Sequence, residues 1–160
     1  MQVVTKDILT VEKGIICQQV NCQGAMGSGI AKAIRDKWPI VYESYRDYVR
    51  LHKSKGVSVL GNMDAVNVSD YDANDKCLNN KWVANLFGQE FYGNDGKQYT
   101  SYEAFDNALS VLASFCIHKK YPDVYFPYLI GCGLGGGDWK IVSKMIEFYF
   151  PNAIICKLSK

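Results

Sequence analysis

The stretch Tyr128–Trp139, YLIGCGLGGGDW, decides the fold. Upstream of it, Val124–Ile130 is a nearly unbroken apolar run, the pattern of a strand covered on both faces. Downstream, residues from about Asp138 to Tyr149 return to helical spacing. Between them stand Gly131, Gly133, Gly135, Gly136 and Gly137, five glycines in seven positions. Glycine admits positive φ and lets a backbone amide approach a neighbour with no side chain in the way. The same build occurs earlier in the chain. Ile15–Val20 reads as a strand, Asn21–Gly29 as a loop holding Gly24, Gly27 and Gly29, and Ile30, Ala33, Ile34 and Trp38 recur as one face of a helix.

Two strand–glycine loop–helix units imply a crevice beyond the carboxyl ends of strands in an open sheet. A loop feeding a helix aims unpaired N–H donors, with the positive end of the dipole, at one point. The expected guest is an anion, and a phosphate or diphosphate held from both sides suits the pair. The first loop is not a phosphate loop of the Walker type, because Ile30 and Ala31 follow Gly29 where Lys and Ser or Thr are required. Nor does Gly24-x-x-Gly27-x-Gly29 keep the order of a dinucleotide fingerprint.

The remaining elements alternate in kind. Gln2–Thr5, Val57–Leu60, Ala65–Val68, Lys81–Phe87 and Ala153–Leu158 read as strands. Pro39 ends or kinks the first helix, and Val41–Leu51 continues as a second. Ser69–Asn80 and Gly88–Tyr99 read as loops. Thr100 and Glu103 have the spacing of a capping box before a helix whose Tyr102, Phe105, Leu109, Leu112 and Cys116 form one stripe. The expectation is one domain over residues 1–160, a three-layer α/β/α fold around a mixed, largely parallel sheet.

Composition narrows the function. Eighteen basic and sixteen acidic residues leave a formal charge of +2, no footprint for duplex nucleic acid or an anionic membrane. No apolar run approaches the ~20 residues of a membrane span, and no signal-peptide pattern opens the chain, so a cytoplasmic protein is expected. The sequence leaves the oligomeric state open, with a monomer expected. The six cysteines form no C-x-x-C pair and read as reduced, mostly structural thiols; no metal and no cofactor is expected.

"TKDILT", "VNCQGAMGSGIAKAI" and "YLIGCGLGGGDW" together resemble, in the same order and over essentially the whole chain, three landmarks of the macrodomain family, which binds ADP-ribose. The first loop is most similar to the branch of terminal ADP-ribose glycohydrolases and DNA-ADP-ribose-removing antitoxins, with the ADP-ribose 1″-phosphate processing enzymes close by. The resemblance implies that Asp7 accepts a hydrogen bond from the adenine amino group, with the Ile8 backbone beside it. It implies Asn21 and Gln23 near the distal ribose, and Met26, Gly27, Ser28, Gly29 and Ile30 along the diphosphate. Gly131, Cys132, Gly133, Leu134, Gly135, Gly136 and Gly137 are then expected on its opposite side, with Phe87, Phe91 or Tyr92 as aromatic contacts.

The chain departs from that branch where chemistry is concerned. Gln89 falls where the glycohydrolases typically carry a lysine, and Gly135 where some carry an aspartate. Glutamine forms no Schiff base and supplies no cation. Asn21, Gln89 and Asp138 remain as candidate catalytic side chains able to orient water or a proton, with Asp138 also a natural helix cap. Lys97 is a more distant alternative. The expected function is binding of ADP-ribose or a derivative with hydrolysis of it, as a 1″-phosphate phosphatase or de-ADP-ribosylating hydrolase. The alternative is a non-catalytic module that reads or sequesters the ligand.

Overall fold

The computed structural model describes residues 1–120 and 122–159. Strands β1 (Gln2–Thr5), β2 (Gly14–Asn21), β3 (Met63–Asn67), β4 (Lys81–Gln89), β5 (Val124–Pro127) and β6 (Ile154–Lys157) form one sheet. Helices α1 (Gly29–Lys37), α2 (Pro39–Ser54), α3 (Tyr102–His118) and α4 (Trp139–Tyr149) cover it. The strand order is β1-β6-β5-β2-β4-β3, parallel throughout except for β3 against β4. The expected mixed, largely parallel α/β architecture is what the chain adopts.

The pleat of β2 sorts the two cores. Ile15 and Cys17 pack with Phe105, Leu109 and Leu112 of α3 and with Val142 and Ile146 of α4. Ile16 and Val20 face the other way, against Ile34 of α1 and Val41 and Tyr45 of α2. Each fully buried aliphatic or aromatic side chain contributes on the order of 1.5–3 kcal/mol of transfer free energy. Pro39 both ends and begins a helix. The residue before a proline is steered out of the α region, so Trp38 closes α1, and Pro39 sits in the first turn of α2, where its missing N–H costs nothing.

Three local expectations are corrected. Val57–Leu60 is not a strand; Val59 enters the core from an irregular segment, so the alternation reflects one buried anchor and not a ladder. The run Val124–Ile130 is a strand only to Pro127. Pro127 has no donor for a further rung, Leu129 takes φ 63°, and Ile130 N–H turns back to the Pro127 carbonyl at 3.1 Å. The cap of α3 is Ser101, which accepts from Ala104 N–H at 3.2 Å. Thr100, one residue earlier, is used differently.

The sheet also shows where a cleft must open. The β2–β5 ladder consists of Ile15↔Val124 and Ile16↔Tyr125, whereas β2 continues to Asn21 paired only with β4. Beyond Ile16 the two strands part. Chain leaving β2 runs toward β3 on one side, and chain leaving β5 runs through α4 to β6 on the other. That is a topological switch point, with both glycine loops on its rim.

Candidate functional site

A cleft of about 610 Å³ occupies this position, within the ~300–1,000 Å³ range of small-molecule sites. One wall is the end of β2 and the start of α1, from Gln19 through Asn21 to Ala31; the other is the turn from Pro127 to Gly135. Gln89, Tyr92 and Gly93 complete the lining. None of the lining residues is Asp, Glu, Lys, Arg or His.

The backbone supplies the polarity instead. Ser28 is the residue before α1, with extended φ and no side-chain cap bond. Among the described residues, no acceptor meets the amides of Gly29, Ile30 and Ala31, the first turn of that helix. The amides of Gly133, Leu134 and Gly135 are likewise without an acceptor among the described residues. All six residues line the cleft. Unpaired donors at a helix start carry the positive end of its dipole, so the cleft has anion-binding character without a cationic side chain.

The glycines divide into two kinds. A Cβ built on Gly27, Gly29 or Gly133 meets nothing within 4 Å, so these positions leave room on the solvent side of the cradle. The other glycines of the second loop are kept bare by the protein itself. A Cβ on Gly131 lies 2.8 Å from Gln19 Oε1, on Gly135 2.6 Å from Thr100 Oγ1, on Gly136 2.6 Å from the Lys97 carbonyl, and on Gly137 2.8 Å from the Gly131 carbonyl. Close internal packing therefore accounts for most of GCGLGGG.

The first loop is folded around one side chain. Asn21 Oδ1 accepts from the Gln23 amide at 2.9 Å, and Asn21 Nδ2 donates to the Ala25 carbonyl at 2.8 Å. The Tyr45 hydroxyl reaches the Asn21 carbonyl at 2.7 Å and its Oδ1 at 2.8 Å. Burial pushes that phenol well above its ordinary pKa, so it stays a hydrogen-bond donor.

The candidate catalytic side chains are similarly occupied. Gln89 Oε1 accepts from Gln19 Nε2 at 2.7 Å, and Gln89 Nε2 donates to the Phe91 carbonyl at 2.7 Å. Asp138 caps α4 by accepting from Lys140 N–H at 2.8 Å, and it does not line the cleft. Lys97 is exposed and lies 3.6 Å from Asp95.

Of the expected ligand contacts, the cleft brings together Asn21, Met26, Gly27, Ser28, Gly29, Ile30, Gly131, Gly133, Leu134 and Gly135. Others stand outside its lining. Phe87 is fully buried between Tyr45 and Tyr48, with ring centroids 5.7 and 5.4 Å away, and Ile8 belongs to the same core. Gln23 donates to the Glu90 carbonyl at 3.1 Å. The Cys132 thiol donates to the Ile130 carbonyl at 3.3 Å, and burial pushes its pKa up to about 11. Asp7 is exposed and caps the short turn Ile8–Thr10 by accepting from Leu9 N–H at 3.0 Å. It follows β1, three strands from β2 on the same rim, roughly 14 Å away at the ordinary strand spacing. Of the aromatics, Tyr92 lines the cleft and Phe91 is exposed beside it. Gln19 and the turn Pro127–Ile130, which line the cleft, read from sequence as strand positions, and Thr100, which bonds to Gln19, read as a helix cap.

The Macro domain family matches residues 17–146, and the chain belongs to that family. None of the curated proteins matches the chain. Among solved structures, a Bacteroides thetaiotaomicron protein of unknown function is 28% identical with a TM-score of 0.77, over 98% of this chain and 97% of that one. The macrodomain of Mycobacterium tuberculosis DarG is 20% identical with a TM-score of 0.77, over 99% of this chain and 97% of that one. Thermosipho africanus DarTG, solved in complex with ADP-ribose, is 20% identical with a TM-score of 0.74, over 98% of this chain and 41% of that longer chain. The described helices include none long and apolar enough to cross a membrane.

Proposed function

We propose that this chain is a binding module for ADP-ribose or an ADP-ribose derivative, with the diphosphate held between the start of α1 and the turn Gly133–Gly135. The observation that carries the reading is the pair of facing amide sets, Gly29–Ala31 and Gly133–Gly135, unpaired around a cleft with no charged side chain. Membership of the macro domain family and the ADP-ribose complex of a structural relative support the choice of ligand. In this arrangement the adenine extends along the rim toward Asp7, and the distal ribose toward Asn21, Gln89 and Tyr92.

Capture, in preference to turnover, fits the side chains. A general acid or base needs a titratable group within reach of the reacting atoms. The amides of Asn21 and Gln89 are engaged in holding the backbone, and the Asp138 carboxylate caps a helix. Calorimetric titration tests the binding: ADP-ribose should bind in the micromolar range, ~8 kcal/mol, with AMP much weaker. Equal affinities for the two would contradict a diphosphate cradle. Product release from ADP-ribose 1″-phosphate above the buffer rate would contradict the non-catalytic assignment.

A further inference from the structure

The side chain of Gln19 is enclosed on the floor of the cleft by parts of the chain far apart in sequence. Its Nε2 donates to Gln89 Oε1 at 2.7 Å, at the end of β4, and lies 2.8 Å from Thr100 Oγ1, just before α3. The Thr100 hydroxyl in turn donates to the Gly131 carbonyl at 2.7 Å. The orientation of the amide is dictated by its neighbours. Gln89 commits its own Nε2 to Phe91, so only its oxygen faces Gln19, and that oxygen requires a donor.

Three glycines make the slot for this amide. A Cβ on Gly88 would stand 2.4 Å from Gln19 Oε1, on Gly131 2.8 Å from the same atom, and on Gly135 3.2 Å from Gln19 Nε2. Gly88 is also where the β2–β4 register slips, so that Asn21 pairs with Gln89. Gln19 Oε1 is buried with no hydrogen-bond partner. An unpaired buried carbonyl is a cost, tolerated here to bring Nε2 onto Gln89 and Thr100 together. The Thr100 and Tyr99 amides both end on the Gly135 carbonyl, at 2.9 and 2.8 Å, which ties the same segment to the second glycine loop.

We propose that Gln19 is a positioning residue: through Gln89 and Thr100 its amide clamps the second glycine loop to the end of β4, fixing the spacing between the two amide sets. The ligand consequence rests on the ADP-ribose reading above; the clamp itself does not. Gln19→Met keeps the length and removes the donors, and Thr100→Val breaks the next link. In hydrogen exchange of the ligand-free protein, both variants should speed exchange of the hydrogen-bonded loop amides of Cys132, Gly136 and Gly137 by about tenfold, the ratio that corresponds to ~1.4 kcal/mol. Protection in β2 and α3 should stay as in the wild type.

By calorimetry, ADP-ribose affinity should fall about tenfold in each variant. In Gln19→Glu, burial and the facing Gln89 oxygen should raise the carboxyl above its ordinary pKa, so the loss should be largest at pH 8 and shrink toward pH 5 as protonation removes the charge and restores one donor. The wild-type amide does not titrate, nor do its hydrogen-bond partners Gln89 and Thr100 in this range, so the wild type should show no such recovery. Unchanged exchange at Cys132, Gly136 and Gly137 would overturn the clamp. Faster exchange with unchanged ADP-ribose affinity would overturn its role in ligand spacing. If the wild type fails to bind ADP-ribose, the functional reading falls, and the exchange measurement still decides the clamp.

Discussion

Gly133→Glu separates ligand binding from folding. Gly133 does not require positive φ, and a Cβ there meets nothing within 4 Å, so a side chain enters open space and the fold should be kept. That space is where the proposed reading puts the diphosphate. A carboxylate about 5 Å from a doubly charged diphosphate, at an effective dielectric constant of about 40 for a solvent-open cleft, opposes binding by ~3 kcal/mol. The affinity for ADP-ribose should therefore drop by roughly 100-fold or more. Calorimetric titration provides the number, and Gly133→Gln, of the same size without the charge, isolates the electrostatic part. Thermal melting should show both variants folding like the wild type. Equal affinities for Gly133→Glu and Gly133→Gln would refute the reasoning, because charge at this position would then be irrelevant to the ligand.

Further expectations concern its neighbours. Gly135→Ala should act on stability, since the added Cβ would lie 2.6 Å from Thr100 Oγ1 and 2.7 Å from the Gly131 carbonyl. Overpacking of this kind costs about 1–3 kcal/mol, and a melting temperature equal to the wild type would contradict it. Asp138→Ala should lower stability by ~1 kcal/mol through loss of the α4 cap, with Asp138→Asn close to wild type. ADP-ribose affinity should be the same in both, and a large binding defect in Asp138→Asn would return this carboxylate to the site. Among the thiols, Cys77 should alkylate first: it is exposed, and backbone N–H donation from Asn80 lowers its pKa. Cys22 and Cys132, pushed up by burial to about 12 and about 11, should lag at pH 8. Mass spectrometry of partially alkylated protein reads the order.

Much of the fold was legible because helices and strands in this chain carry clean periodicities. β2 and β4 read correctly from their apolar runs, and Pro39 marked the boundary of α1 and α2. Val57–Leu60 misled because alternation records burial, and a single residue such as Val59 can be buried without strand pairing. Ile130 misled for a related reason: it is buried, but in a turn made by Pro127 and Leu129.

The cradle was legible for a partly different reason from the one its glycines suggest. Gly27, Gly29 and Gly133 leave space, whereas Gly131, Gly135, Gly136 and Gly137 make room for Gln19, Thr100 and the neighbouring backbone. Sequence cannot distinguish the two, because both demand the absence of a Cβ. The same limit hid Gln19 and Thr100, whose partners are brought together only by strand order and by the bulge at Gly88. Asn21 and Gln89 were visible as polar groups at strand ends. Their engagement with loop backbone depends on contacts that only the folded chain defines.

The structure of the protein crystallised with ADP-ribose tests the main claim most directly. Diphosphate oxygens should lie about 2.7–3.2 Å from backbone nitrogens on both sides, in Gly29–Ala31 and in Gly133–Gly135. A nucleotide bound away from these two segments, or held by charged side chains with both amide sets facing solvent, would contradict the account.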